Sequence, residues 1–210
     1  MKVAISKEDK IFDVISYIIL GLLLIVVLYP IYFIVIASFC SPELVSTGQI
    51  TLIPKGINFD GYKRIFSYPE VWRGYFNTVY ITILGTAFNL FLTLPIGYVL
   101  TRKDFMARGL FTKLLMFTMF FGGGLIPTYL LIHQLGLFNK AYTLIFISGL
   151  SVQNVIIVRT TIANNIPEEL YEAATIDGCD HFGFFFKFVL PLSKSIIAVM
   201  MLYYGVAHWN

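Results

Sequence analysis

The chain has 210 residues, of which 58% are hydrophobic and 13% charged, with mean hydropathy +0.79 and a formal charge of +3. Soluble domains carry about 45–50% apolar and about 25% charged residues, so this balance excludes an ordinary soluble domain and points to a membrane protein. The small net charge gives no nucleic-acid footprint, and the two cysteines, Cys40 and Cys179, have no metal-type spacing.

A helix needs about 20 mainly apolar residues to cross the hydrocarbon core. The first such run is 14–37, uncharged and too long for the apolar core of a cleaved signal peptide. Pro30 inside it is a kink that a membrane helix tolerates. A long loop, 41–74, follows; "QITLIPKGINFDGY" has the Pro and Gly punctuation of a loop with at most a short strand. Further apolar runs cover 75–100, 114–132 and 141–158. A last run, 195–210, is still apolar where the chain stops, without a charged flank; we expect a truncation inside a helix. The expected fold is therefore all-α, a single transmembrane domain over 1–210 with about five membrane helices, the last incomplete.

Loop cations set the orientation. With the N-terminus inside, ten lie on the inner segments (Lys2, Lys7, Lys10, Arg102, Lys103, Arg108, Lys113, Arg159, Lys187, Lys194). Five lie outside (Lys55, Lys63, Arg64, Arg73, Lys140), so a cytoplasmic N-terminus is preferred. Loop 41–74 is then extracellular and 159–194 cytoplasmic, and the two cysteines, on opposite sides, are free thiols.

Five of the twelve acids fall between Glu168 and Asp180. Pro167 suits a helix start, and Glu168 and Glu169 sit at its positive end. Ile166, Leu170, Ala173 and Ala174 make one apolar face. Gly178 offers the left-handed conformation that ends a helix. A short helix over 167–177 results, and the phenylalanines from Phe182 to Phe188 begin a second helix, checked by Pro191. Interfacial helices favour Lys and Arg against an anionic leaflet. An acidic helix with small side chains better matches a cationic protein partner.

The stretch "EAATIDGCDHFGFFFKFVLP" resembles the EAA loop of ATP-binding-cassette importer permeases, with Glu172, Ala173, Ala174, Gly178, Leu190 and Pro191 at the family's spacing. Phe188 stands where an aliphatic residue is usual. "TLIPKGINFDGYKRIF", "FGGGLIPTYLLIHQLGLFNKAYTLI" and "HWN" resemble the carbohydrate-type group, the lipoprotein and multiple-sugar permeases. The resemblance covers essentially the whole chain. It implies six membrane helices, the sixth absent here, and a cytoplasmic helix-turn-helix that docks into an ATPase subunit. The implied docking set is Glu172, paired with a basic residue, with Ala173 and Ala174 for close fit, Asp177, Gly178 for the turn, and Leu190 and Pro191. The implied partners are two ATPase subunits, a second permease, an extracellular solute-binding lipoprotein and a sugar or related solute, in the bacterial cytoplasmic membrane. No cofactor and no catalytic residue are implied.

Other features carry weaker readings. Gly122, Gly123 and Gly124 lack the Lys-Ser/Thr of a phosphate loop and, with Pro127, suit a helix break with close packing. Asn89, Thr93, Gln153 and Asn154 either line a sugar path or join helices to each other. His133, His181 and His208 lie on separate segments without ligand spacing. A secondary transporter or channel would place ionisable residues in its spans, and the apolar runs between 14 and 158 contain no Asp, Glu, Lys or Arg. The other alternative is a truncated, non-transporting fragment.

Overall fold

The computed structural model describes residues 7–50 and 53–209. Lys2 of the charge count, Thr51 and Leu52 of the outer loop, and Asn210 of the last run lie outside the described residues. Among the described residues the regular elements are all helical, apart from one isolated antiparallel bridge between Cys40 and Ile57. The chain divides into two compact units, one ending at Trp72 and the other starting at Arg73.

In the first unit, α1 (Lys7–Ser38) accommodates Pro30 and offers Asp9–Ser38 as a candidate span. At about 1.5 Å per residue, those 30 residues exceed the hydrocarbon thickness of about 30 Å. Two short helices follow, α2 (Pro42–Ser46) and α3 (Asp60–Ser67). Ile36, Cys40 and Ile50 form a small core backed by Phe33, Leu44 and Val45. Among its described residues, loop 41–74 carries two helices, and Ile57 makes the isolated bridge to Cys40 where at most a short strand is expected. Ser41 N–H donates to the Gly56 carbonyl and Asn58 N–H to the Phe39 carbonyl, pinning the loop in two places.

Most of α4 (Pro69–Val99) belongs to the second unit, and among the described residues it is the other single helix long and apolar enough to cross a bilayer. The third apolar run is broken: α5 (Arg108–Phe120) and α6 (Leu125–Gln134) meet at 112°. Gly124 causes the turn, with φ +85°, a conformation closed to most side chains. Pro127 sits in the first turn of α6, where no N–H is needed. The expected close packing is not seen at Gly122 or Gly124, where an added Cβ would meet nothing within 4 Å. The fourth run is also divided, into α7 (Thr143–Ile147) and α8 (Val152–Asn165). Ser151 caps α8 by accepting from the Asn154 N–H, so the helix restarts there and runs past the expected end at 158.

Beyond α8 come α9 (Glu168–Ile176), α10 (His181–Phe184), a π-helical turn (Phe185–Val189), α11 (Leu190–Leu192) and α12 (Lys194–Trp209). Pro191 has no N–H to donate to the preceding turn, and the wider π turn lies immediately upstream. The segment His181–Leu192 meets α12 at 80°. Counting each bent pair as one span, up to four segments among the described residues qualify as crossings, by length and composition.

The core of the second unit joins α4 (Leu90, Leu94, Tyr98), α8 (Val158, Ile162), α9 (Ala174), the segment Phe184–Val189, and α12 (Ile196, Met200, Tyr204). Gly97 makes the α4–α8 approach possible. A Cβ there would lie 2.6 Å from Val158 Cγ1 and 3.3 Å from the Arg159 backbone nitrogen. The acidic stretch is therefore seated directly on the helical core.

Candidate functional site

The helix expected over 167–177 is α9, Glu168–Ile176, one residue shorter at each end. Pro167 is its extended N-cap, with ψ 150°, and Glu168 and Glu169 fill the first turn. Gly178 adopts φ +81°. Its N–H donates to the Thr175 carbonyl (3.0 Å), and the Cys179 N–H donates to the Ala174 carbonyl (2.9 Å). This is the paired bonding of a Schellman stop. No atom crowds Gly178, so the positive φ alone demands glycine. Two residues on, Asp180 caps α10 by accepting from the Gly183 N–H at 2.8 Å. The turn between the helices is thus fixed by hydrogen bonds on both sides.

The apolar face expected of α9 is split. Ile166 and Leu170 pack on the core and Ala174 is 5% exposed within it. Ala173 is exposed instead, beside Glu172, Ile176 and Asp177. Each residue advances a helix by about 100° (3.6 per turn), so adjacent alanines cannot both point inward when 170 and 174 define the inner line. Ile176 is 87% exposed and Phe182, across the turn, 77% exposed. The outward surface is acidic with two bare apolar side chains. The sequence reading missed Ile176 and Phe182 because apolar residues near a membrane run look membrane-facing. Leu190 is partly buried against the core, and Pro191 is exposed.

Behind α9 lies a polar cluster that pattern reading also missed. Arg102, two residues past Leu100, has a side chain only 10% exposed. Its Nη2 donates to Glu168 Oε1 at 2.9 Å, its Nε to Asp104 Oδ1 at 3.3 Å, and its guanidinium lies 3.4 Å from the centre of the Tyr171 ring. Asp104 Oδ2 also approaches His181 Nε2 at 3.3 Å. The His181 ring stacks on Tyr171, and its Nδ1 is 3.1 Å from the Tyr171 hydroxyl. In the sequence Arg102 entered only as one of the inner cations. Asp104 is a near neighbour, but Glu168 lies 66 residues downstream and Tyr171 three further on, beyond any local pattern.

Two of the four polar residues singled out in the apolar runs, Asn89 and Thr93, bond to other segments of the second unit. Asn89 is fully buried; its Nδ2 donates to the Ser148 carbonyl, and its Oδ1 accepts from His208 Nε2 at 2.7 Å. Thr93 and Tyr204 share a buried hydroxyl contact of 2.7 Å. Gly85 leaves room for His208, whose ring would lie within 2.8 Å of any added Cβ. Gln153 is exposed and Asn154 half-buried. Among the described residues no group of three or more His, Cys, Asp or Glu side chains could hold a metal.

No family model matches the chain. It is 37% identical over 203 residues to the polygalacturonan/rhamnogalacturonan transport system permease protein YtcP of Bacillus subtilis, covering 97% of this chain and 71% of that relative. It is 36% identical to LplC of the same organism, over 98% of this chain and 69% of that protein. Similarity to the galactooligosaccharide transport system permease protein GanQ, also of Bacillus subtilis, is 33% over 88% of this chain and 67% of that relative. A bacterial ABC transporter involved in the import of the acidic polysaccharide alginate has a solved chain that superposes with a TM-score of 0.92 at 30% identity. That match covers all of this chain and 74% of the other.

Proposed function

Because this chain belongs to the carbohydrate-type permease subunits of ATP-binding-cassette transporters, we propose that α9 is the helix through which an ATPase drives it to import a sugar or related solute. The chain is an integral membrane transport subunit and not an enzyme. ATP hydrolysis belongs to partner ATPase subunits, and a solute-binding protein delivers the substrate. In the proposed assembly there are two ATPases, one second permease and an extracellular binding lipoprotein.

One observation carries this reading. A short helix is anchored by Leu170 and Ala174 in the core and shows Glu172, Ala173 and Ile176 outward. A carboxylate beside a methyl-sized side chain allows close approach by a partner carrying a cation. A charge-assisted hydrogen bond there is roughly twice as strong as a neutral one. Gly178 supplies the stop that holds this face in place, and Leu190 holds the following segment to the core. Two further features support the cytoplasmic placement. In the proposed orientation the inner segments carry ten cations against five, and the contact between Arg102 and Glu168 supports reading loop 101–104 and α9 as lying on the same side. The N-terminus is then cytoplasmic.

The test is Glu172→Lys in the assembled transporter. We expect loss of ATPase co-purification and of ATP-dependent solute uptake, with the permease still present in the membrane. Normal ATPase retention and uptake would refute the docking role of α9.

A further inference from the structure

We infer that Arg102 is a positioning residue that ties α9 to the end of α4, so that displacement of one moves the other. The inference rests on α9 being the coupling helix and concerns its first turns, where Glu168 and Tyr171 lie beside the docking face.

Long charged side chains are almost never this buried unless paired, and Arg102 is paired in three directions. Glu168 and Tyr171 lie at i and i+3 on α9, hence on one face. Arg102 grips both, one by an ion pair and the other by stacking over its ring. Asp104 holds the Nε edge of the same guanidinium. The circuit then closes through His181, which touches both Asp104 and Tyr171. Three backbone pieces meet in this ring: the loop after α4, the first half of α9, and the start of α10.

The α4 side of the ring is stiff. The Arg102 N–H donates to the Val99 carbonyl at 3.1 Å, and the Thr101 N–H donates to the Tyr98 carbonyl at 2.9 Å. The Thr101 hydroxyl also donates to the Tyr98 carbonyl at 2.6 Å. Tyr98 itself is buried in the core and packs on Phe184 and Phe185. Arg102 is thus a direct extension of α4. A lysine would keep the charge, but its point-like ammonium lacks the planar fork that lets Arg102 meet two carboxylates and a ring together.

The experiment uses the assembled transporter in membranes, with ATPase and binding protein present, and reads ATPase retention, ATP hydrolysis and solute imported per ATP. In Arg102→Lys and Glu168→Gln we expect the ATPase to stay bound and hydrolysis to continue. Import per ATP should fall about tenfold, inside the usual range of site-to-site coupling. Unchanged import per ATP in both variants would overturn the inference. So would loss of ATPase retention together with import, which would make Arg102 a fold-holding residue only. Arg102→Gln is a harsher version; should it fail to fold, the two milder variants still decide. The two readings fail separately. An ATPase still bound to Glu172→Lys removes the docking contact, whereas unchanged import per ATP in Arg102→Lys removes the clasp.

Discussion

Adjacent alanines, identical in size, should respond in opposite ways to the same substitution. Ala174 is 5% exposed in a cluster with Val158, Ile162 and Phe184. Ala174→Leu adds three carbons to a filled site, and overpacking of this kind costs about 1–3 kcal/mol. Ala173 is exposed, so Ala173→Leu should change stability by no more than about 0.5 kcal/mol. It would, however, place a bulky side chain beside Glu172 where a partner must approach closely. Thermal unfolding of the detergent-purified complex measures the first effect, and ATPase co-purification the second. We expect Ala174→Leu to lower the unfolding temperature, and Ala173→Leu to leave it unchanged while losing the ATPase. The reverse pattern, a destabilising Ala173→Leu beside a stable Ala174→Leu, would mean that α9 is rotated from the orientation described and would refute the argument.

Gly178→Ala should destabilise the α9 stop by about 1–2 kcal/mol, the cost of a left-handed residue with a Cβ, since no atom crowds the site. Gly178→Asn should cost less, because asparagine tolerates that conformation; faster amide exchange at Cys179, whose N–H closes the stop, is the readout. Asn89→Leu strands the Ser148 carbonyl and His208 Nε2 and should cost about 1–3 kcal/mol. The exposed Gln153→Leu should stay within about 0.5 kcal/mol, and thermal unfolding compares the two.

The acidic helix was readable because its limits are local. Pro167 and Gly178 mark its ends by their own backbone preferences, and observed and expected bounds differ by one residue at each end. Membrane class was readable too, since composition counts atoms without needing their positions. The breaks in the third and fourth runs were less so. Hydropathy averages over a window, and Gly124 or the 148–151 turn changes direction without changing the average. Asn89 is the middle case: its polarity within an apolar run was visible, but its partners, Ser148 and His208, were not.

The sequence by itself determined what is decided within a few residues: the apolar bulk, the helix with acids at its head, and the glycine that stops it. Tertiary structure alone decided which alanine faces inward, and that Arg102 reaches Glu168 across 66 residues. The reason is that helical periodicity fixes the spacing of side chains around an axis but not the rotation of that axis. Rotation is set by what the neighbouring helices leave room for, here the core of α4, α8 and α12.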